Sequence, residues 1–356
     1  MKIHIQIVIA LLLLCVSCQP KAGTKSHRVG FDISQSGDTT HITVYSPWET
    51  NKIMAQYTLT QPLERVVCLS ATHVGFISEL GMKDKIVGTT RSDCIYSFTE
   101  TDRLRINDLG DDLQPNMEAI LLAHPDAVII STYGVSDELP RRLETLGIPI
   151  FYCNEWMEQT PLARAEWIRF FGACLGCLPK ADSIYNAVFQ AYNASVASRS
   201  PQSYQCEDTN AKPLTIAPAS IMSGMSFRGT WYVPAGGTFM GHLFRDAGAA
   251  YCYDDNPSSS SIPLTMEQAL QDFSQADVWV GCNAYSMAEL QGIDQKHTWF
   301  KAYQTGEVYN FYRRTLPSGA NDFWESGTVH PERILQDLKY ILQGDTSNLY
   351  YASPLH

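Results

Sequence analysis

Residues Glu64–Thr90 read ERVVCLSATHVGFISELGMKDKIVGTT, and this segment decides the fold class of the chain. The apolar run at 66–69 is typical of a strand that is covered on both faces. The apolar residues of 74–80 follow helical spacing, and Gly81 stands where a helix usually stops. A second apolar run begins at Ile86. The segment therefore predicts a strand, a helix and a second strand of a mostly parallel sheet.

The polar turn Ser70–His73 joins the first strand of this segment to its helix. Ligands of such sheets bind beyond the carboxyl ends of the strands, where helix N-termini present free N–H groups. We therefore expect this turn to face a ligand.

Strand and helix patterns alternate along most of the chain. Two edge strands are predicted around Ser46-Pro47. The other predicted strands of the first half are 86–88, 126–130 and 148–152, and its helices are 117–123, 140–146, 160–175 and 179–198. After a polar segment at 200–211, the predicted strands are 214–217, 277–280 and 308–311, and the helices are 237–247, 264–273 and 331–341.

This pattern predicts an α/β fold in which two doubly wound α/β lobes are joined by a single long backbone helix. The predicted parts are an N-terminal lobe at 40–177, an interlobe helix at 178–199 and a C-terminal lobe at 200–356. A chain of 356 residues can form two such cores. We expect the ligand site between the lobes.

The N-terminus resembles a bacterial lipoprotein signal. Residues 1–18 combine Lys2, a short apolar core and Ser17 before Cys18. We predict a signal peptide with lipidation at Cys18, and an ordinary cleaved signal with free secretion is the alternative. The polar residues 19–39 would serve as a tether. We expect a periplasmic protein that is lipid-anchored to a membrane of a Gram-negative bacterium.

Composition limits the partners. The chain has 37 Asp and Glu against 26 Lys and Arg and no basic run, which argues against nucleic acid. Cys68, Cys153 and Cys282 lie in or beside apolar strands, so we expect buried thiols there. The histidines show no metal-ligand spacing, so we expect no metal site and no cofactor of the protein's own.

A resemblance to a known family is carried by several segments together. They are Glu64–Thr90, LGDDLQPNMEAILLAHPDAVIIS, LGIPIFYCNEW, the helix at 179–198 and LTMEQALQDFSQADVWV. In order and spacing, the chain resembles the class III periplasmic substrate-binding proteins of ABC importers for iron chelates (siderophore or haem) and cobalamin, over roughly residues 40–343. The resemblance implies a monomer that captures a chelate between its lobes and delivers it to a permease and ATPase complex.

The resemblance also implies docking residues. In this family, a Glu on each lobe meets arginines of the permease. Glu118 falls on the first of these positions. On the second lobe the matching helix reads HLFRDAG, which places Arg245 or Asp246 at the expected position. We expect Glu118 and Arg245 to contact the permease, although the second position departs from Glu.

Loops that follow the strands should line the cleft. Their aromatic and arginine side chains suit a large, flat ligand with anionic groups. The predicted ligand-binding residues are Thr72, His73, Arg91, Tyr96, Tyr133 and Trp156 in the first lobe, and Phe227, Arg228, Trp231, Tyr232, Tyr285, Arg313, Asp322, Phe323 and Trp324 in the second. The segments 225–234 and 321–325 are both interpreted as loops.

The identity of the chelate stays open. Haem would want His73 as an axial ligand with Tyr232 or Tyr285 opposite. Cobalamin suits the aromatic residues, and a ferric siderophore suits the arginines. The alternative functions are a surface-exposed lipoprotein that serves an outer-membrane receptor and an enzyme on the same scaffold. We see no nucleophile–base pair and no GxSxG motif, so we expect no catalytic residues.

Overall fold

The computed structural model describes residues 30–112, 114–132, 138–198, 203–204, 214–215 and 218–356. The predicted signal peptide with Cys18, the tether up to residue 29, and Tyr133 lie outside the described residues. None of the helices in the described ranges has both the length and the apolar character needed to cross a membrane.

The N-terminal lobe contains two sheets. Its strands are β1 (Phe31–Ser36), β2 (Thr39–Tyr45), β3 (Ile53–Leu59), β4 (Val66–Cys68), β5 (Ile86–Thr89), β6 (Asn107–Asp108), β7 (Ala127–Ile130) and β8 (Ile150–Tyr152). Strands β1–β3 form an antiparallel sheet. The other five form a parallel sheet in the order β6-β5-β4-β7-β8. Strand β4 is central and fully buried, as the apolar run at 66–69 predicts.

The described residues of this lobe form six short helices. They are α1 (Ala71–Glu79), α2 (Glu100–Arg105), α3 (Met117–Leu122), α4 (Glu138–Thr145), α5 (Pro161–Glu166) and α6 (Ile168–Cys174). The single helix predicted at 160–175 is thus two helices that meet at Trp167. The predicted buried thiols Cys68 and Cys153 are confirmed as buried.

One 20-residue helix, α7 (Leu178–Ala197), joins the lobes. Its first half packs into the N-terminal core through Ala181, and its second half packs into the C-terminal core through Tyr192. The Tyr192 hydroxyl also donates to the Asp246 carboxylate at 2.7 Å. The predicted arrangement of two α/β lobes on one backbone helix is confirmed.

The C-terminal lobe is built around a smaller mixed sheet. Its strands are β9 (Ser203–Tyr204), β10 (Leu214–Thr215), β11 (Ile221–Ser223), β12 (Met225–Phe227), β13 (Thr230–Pro234), β14 (Ser261–Leu264), β15 (Val278–Val280), β16 (Val308–Asn310) and β17 (Ser353–Pro354). The main sheet has the order β11-β15-β16-β17, with only β17 antiparallel. Its helices are α8 (Phe239–Ala247), α9 (Met266–Phe273), α10 (Met287–Ile293), α11 (Lys301–Thr305), α12 (Ser326–Val329) and α13 (Pro331–Leu342).

Three predictions about individual segments need correction. The tether predicted at 19–39 includes strand β1, which pairs with β2, so the N-terminal lobe begins before residue 40. In the region of the strand predicted at 214–217, the described strand is β10, which pairs with β9 outside the main sheet. The first strand of the main sheet is β11. The segment 225–234 is a hairpin rather than a loop. Its two-residue turn, Arg228-Gly229, has positive φ at both positions, which matches the right-handed twist of paired strands.

The two lobes repeat one local arrangement. In the first, α3 leads into β7, and the Asp126 carboxylate accepts from the backbone N–H of Glu64 and Arg65 at 2.8 and 2.9 Å. In the second, α9 leads into β15, and Asp277 accepts from the backbone N–H of Ser220 at 2.8 Å. Each Asp thus anchors the start of a central strand to its neighbour. The helices α3 and α9 therefore occupy equivalent positions in the two lobes.

The lobes also touch directly, where α1 crosses the segment before α12. Gly75 of α1 lies so close to Glu325 that an added Cβ would stand 2.7 Å from the Glu325 carbonyl oxygen. The buried Glu325 carboxylate accepts from the backbone N–H of Tyr96 and, at 3.1 Å, of Ser97. Burial raises the pKa of Glu325 to about 7. This contact fixes the two lobes relative to each other.

We expect Gly75→Ala to lower the free energy of unfolding by about 1–3 kcal/mol, because backbone atoms on the other lobe leave no room for a methyl group. Gly292 is the matched control, since it is also helical but has open space around its Cβ position. Gly292→Ala should be neutral or stabilising by up to about 1 kcal/mol. Urea denaturation of both variants measures the effect. Equal midpoints for the two would contradict the close contact between the lobes.

Candidate functional site

A cavity of about 660 Å³ lies between the lobes. We call it the interlobe cavity. Its N-terminal wall is formed by Trp48, Trp156, Met157, Glu158, Gln159 and Arg164. Its C-terminal wall is formed by Pro234, Gly237, Thr238, Phe239, Met240, Ser259, Ser260, Ser261, Phe323, Trp324, Gly327, Thr328 and Ile334. Both lobes contribute tryptophan, so a bound molecule would contact aromatic surface from each side.

A second cavity of about 370 Å³ adjoins the first. It shares Met240, Phe323 and Trp324 with the interlobe cavity and adds Tyr232 and Tyr312 from the C-terminal lobe. Trp324 is 56% exposed and lines both spaces. A ligand larger than the interlobe cavity could therefore extend past Trp324.

Three aromatic side chains of the cavity walls belong to short helical segments. Trp156 lies in a 3₁₀ helix, Glu155–Met157, directly after β8. Trp324 ends another, Asp322–Trp324, whose first turn is held by the Asn321 side chain accepting from Phe323 N–H at 3.0 Å. Phe239 begins α8, which Thr238 caps through a bond from Gly241 N–H. All three side chains thus lie where strands or loops pass into helical turns.

Two charged residues belong to the described lining of the interlobe cavity. The Arg164 guanidinium packs over the Phe239 ring at 5.1 Å, across the lobe boundary, and lies 3.8 Å from Glu155. Glu158 accepts from the backbone N–H of Gly30 at 2.8 Å and from the Trp167 indole N–H at 2.9 Å. Burial raises the pKa of Glu158 to about 7. The cavity is therefore mostly apolar, with one cation on its wall.

The Ser70–His73 turn supports this wall from behind. The Thr72 hydroxyl donates to Glu155 Oε1 at 2.7 Å, and the fully buried His73 places Nε2 3.4 Å from Glu155 Oε2. Burial opposes the charge of Glu155, but His73, Arg164 and Thr72 outweigh it and lower its pKa to about 2. Neither Thr72 nor His73 lines the interlobe cavity, so ligand contact by these two residues stays a prediction. They hold the residue that precedes Trp156.

Cys153 joins the same buried group. Its Sγ lies 3.6 Å from Glu155 Oε2, and the ligand-type atoms of His73, Cys153 and Glu155 all lie within 4.8 Å of one another. The sequence predicts no metal site, because the spacing of His73 from the other two residues is too long to form a recognisable pattern. Only the packing of α1 against the end of β8 brings them together.

Four predicted ligand-binding residues line a cavity. Trp156, Phe323 and Trp324 line the interlobe cavity, and Tyr232 lines the adjoining one. Tyr285 lies next to it, because its ring packs on Tyr312 at a centroid distance of 4.8 Å. Whether these side chains contact a ligand remains a prediction.

Other predicted residues lie elsewhere. Asp322 is buried and accepts from the Arg314 guanidinium at 2.6 Å, and Tyr96 packs its ring under the same guanidinium. Arg91 and Arg313 are exposed and line neither cavity. The turn of the β12–β13 hairpin presents Phe227 and Arg228 to solvent, with the guanidinium over the ring at 5.2 Å.

The interpretation of Trp231 as a loop residue that contacts the ligand needs correction. It is 1% exposed, its indole N–H donates to the Ser223 carbonyl at 3.1 Å, and its ring packs against Trp279 and Phe300. Strand β13 pairs on both sides, so its side chains alternate between faces. Trp231 therefore faces the core, whereas Tyr232 faces the adjoining cavity.

The two predicted docking residues, Glu118 and Arg245, differ in their contacts with the rest of the protein. Glu118 is exposed in the first turn of α3. Arg245 instead forms an ion pair with Asp254 at 2.8 Å, and Asp246 accepts from Tyr192, so both serve the fold of the C-terminal lobe. The residue equivalent to Glu118 is Glu267, which is exposed in the first turn of α9. Both acids follow a capping residue and a Met, as the sequences NME and TME show.

Sequence reasoning missed several lining residues. They are Trp48, Met157, Arg164, Phe239 and Met240. Trp48 follows Ser46-Pro47 in the turn between β2 and β3. The sequence indicates this turn but does not show that Trp48 lines the interlobe cavity. The Thr238 cap marks the start of α8 and could have pointed to Phe239.

A family model described as periplasmic binding protein matches residues 66–313. An uncharacterized lipoprotein of Methanocaldococcus jannaschii is similar to this chain, with 20% identity over 310 residues that cover 83% of this chain and 69% of the relative.

Two solved structures share the fold. The periplasmic vitamin B12 binding protein BtuF of Vibrio cholerae superposes with a TM-score of 0.55 at 17% identity, covering 81% of this chain and 99% of that chain. A periplasmic heme binding protein from Pseudomonas aeruginosa gives a TM-score of 0.61 at 16% identity, covering 83% and 98%. At these identities the likeness concerns the fold.

Glu158 generates a prediction for pH dependence. Its folded pKa of about 7 exceeds the value of about 4.3 for an unfolded Glu, so the folded state binds more protons between these values. Stability from this group is present below about pH 4.3 and is lost as pH rises through about 7. Nearby Glu155 and Glu166 act in the same direction by repelling its charge.

Glu158→Gln keeps an oxygen acceptor for Gly30 and Trp167 but cannot ionise. We expect it to gain stability relative to the native chain as pH rises from about 5 to about 8, by an amount on the order of 1–3 kcal/mol. Urea unfolding at each pH measures the difference. A difference that stays constant with pH would contradict the assignment.

Proposed function

The chain belongs to the periplasmic binding protein family, in the class whose two lobes are joined by one helix, and we propose that it captures a metal chelate between its lobes for an ABC importer. The observation that carries this proposal is the interlobe cavity with tryptophan on both walls, Trp156 from one lobe and Trp324 from the other. Aromatic side chains give a large contact area at low conformational cost, which suits a broad, partly apolar ligand.

The lining residues favour a particular class of chelate. The described lining of the interlobe cavity offers the thioethers of Met157 and Met240 but no imidazole, phenol or thiol, and the phenols of Tyr232 and Tyr312 line only the adjoining cavity. His73, the predicted axial ligand for haem, is buried behind the wall. We therefore propose a chelate whose metal is already fully coordinated, cobalamin or a ferric siderophore, ahead of haem. Arg164 would pair with an anionic group of such a ligand.

The two lobe tips support docking on a permease. Glu118 and Glu267 are exposed at the same position of equivalent helices, and Glu267 also forms a solvent-exposed ion pair with Lys296 at 3.2 Å, of the kind that contributes little energy. We propose that these two carboxylates contact the permease of a permease and ATPase complex. Arg245 is replaced in this role by Glu267, because its guanidinium is occupied by Asp254 and by two backbone carbonyls.

We further propose that Cys18 carries a lipid and holds the protein at a membrane facing the periplasm. The signal-like N-terminus supports this, and so does the naming of the similar Methanocaldococcus jannaschii protein as a lipoprotein.

Ligand binding is tested with visible absorption spectroscopy and thermal unfolding after adding cyanocobalamin, ferric siderophores or haem to the purified chain. We expect cyanocobalamin or a ferric siderophore to shift the spectrum and raise the melting temperature. Haem as the only ligand would overturn the preference for a fully coordinated metal. No effect from any of the three would count against the proposed function.

We expect Trp156→Ala and Trp324→Ala each to weaken binding of that chelate by about 10–100-fold, which corresponds to about 1.4–2.8 kcal/mol. The loss follows from the removal of one aromatic wall. Trp299→Ala is the matched control, because Trp299 is 57% exposed but lines neither cavity. Titration by quenching of the remaining tryptophan fluorescence measures affinity. Equal affinity in all three variants would remove the interlobe cavity as the binding site.

For docking, we expect Glu118→Ala and Glu267→Ala to leave chelate affinity unchanged and to reduce uptake in cells, with the largest reduction in the double variant. The charges lie away from the cavity, so only the permease contact should suffer. Glu100→Ala, an exposed first-turn acid of α2, serves as the control for lost surface charge. Normal uptake in the double variant would remove the docking role.

A further inference from the structure

His73, Cys153 and Glu155 form a buried group that the proposed transport function does not use. All three side chains are almost fully buried, and His73 Nδ1 and Nε2 both lack a hydrogen-bond partner in the described structure. The contact from His73 Nε2 to Glu155 Oε2 at 3.4 Å has ion-pair distance but not hydrogen-bond geometry. An imidazole with two unpaired nitrogens in a core is costly. Something else should satisfy it.

Two of the three separations between the donor atoms match those expected around one metal ion, and the third is at most 4.8 Å. Zinc binds His nitrogen and carboxylate oxygen at about 2.0–2.1 Å and thiolate sulfur at about 2.3 Å. At tetrahedral angles, these lengths place nitrogen and oxygen about 3.3 Å apart, and sulfur and oxygen about 3.6 Å apart. The observed distances are 3.4 Å for His73 Nε2 to Glu155 Oε2 and 3.6 Å for Cys153 Sγ to Glu155 Oε2.

The second oxygen of Glu155 is already held by other groups. Oε1 accepts from the Thr72 hydroxyl at 2.7 Å and lies 3.8 Å from the Arg164 guanidinium. This leaves Oε2 directed at His73 and Cys153. Carboxylates that ligate metals are commonly oriented by hydrogen bonds to their other oxygen. Thr72 and Arg164 therefore stand where supporting groups of a metal site belong.

We propose that His73 Nε2, Cys153 Sγ and Glu155 Oε2 bind a divalent transition-metal ion of the zinc type. A mixed set of nitrogen, sulfur and oxygen donors suits zinc or cobalt better than calcium or magnesium, which take oxygen ligands. On binding, the Cys153 thiol loses its proton to solvent and its sulfur forms a bond to the metal. Three protein ligands leave the fourth position of such an ion to a water molecule, and the ion would be separate from the metal of any transported chelate.

Such an ion would connect the Ser70–His73 turn to the loop that presents Trp156. It would join α1, which packs against the C-terminal lobe, to the end of β8, which forms the cavity wall. The competing description is a metal-free group, in which the Cys153 thiol donates to Glu155 Oε2 at 3.6 Å and His73 Nε2 lies 3.4 Å from the same oxygen.

The test uses the full chain isolated from cells grown with added cobalt, with no chelate ligand present. We expect about one equivalent of cobalt per chain by elemental analysis and a thiolate-to-cobalt charge-transfer band in the near ultraviolet. Cys153→Ala should lose the band and most of the metal. Cys68→Ala is the matched control, because Cys68 is a buried thiol of the same lobe outside the group, and it should keep both.

If Cys153→Ala does not fold, His73→Gln supplies a second variant, and we expect it to lose at least half of the bound cobalt. The native chain decides the matter in any case. A cobalt content far below one equivalent per chain, or bound cobalt without a thiolate-to-cobalt band, would overturn the proposal. Either result would favour the metal-free description of the site. Because the assay contains no transported ligand, its failure would not affect the proposed capture of a chelate.

Discussion

The close contact between Gly75 of α1 and the backbone of Glu325 sets the relation between the two lobes. In the described structure α7 connects the lobes and packs into both cores. The α1 contact adds a direct constraint between the lobes, because backbone packs on backbone and the Glu325 carboxylate accepts from the backbone N–H groups of Tyr96 and Ser97 across the boundary. Trp324 directly precedes Glu325, so the same contact positions the aromatic wall of the C-terminal lobe.

The opposite wall depends on one short segment after β8. Within it, Cys153 and Glu155 face the core beneath the Ser70–His73 turn, Trp156 faces the interlobe cavity, and Glu158 binds Gly30 and Trp167. The burial cost of the Glu155 carboxylate is offset by His73, Arg164 and Thr72, which lower its pKa, whereas burial raises the pKa of Glu158. The buried polar group of His73, Cys153 and Glu155 thus lies directly behind the part of the cavity wall that Trp156 forms.

Local sequence patterns predicted the helices and strands better than they predicted the residues that line the cavity. Apolar periodicity located β4, α1, β7 and α7, because burial on a sheet or along a helix leaves a regular pattern in sequence. The hairpin at 225–234 was misread because Gly229 and Pro234 suggested a loop, although a two-residue turn between strands requires positive φ. That error misplaced Trp231, since only strand pairing decides which of two adjacent aromatics faces the core.

By itself, the sequence determined the α/β class, the two lobes on one helix, and the place of Glu118 in the first turn of α3. These follow from periodicity, capping and order along the chain, which are local properties. Tertiary structure alone decided that Trp156 and Trp324 line the same cavity, that Glu267 rather than Arg245 matches Glu118, and that His73 meets Cys153 and Glu155. These pairs depend on how separate elements pack, and residues distant in sequence leave no shared local pattern that could reveal their contact.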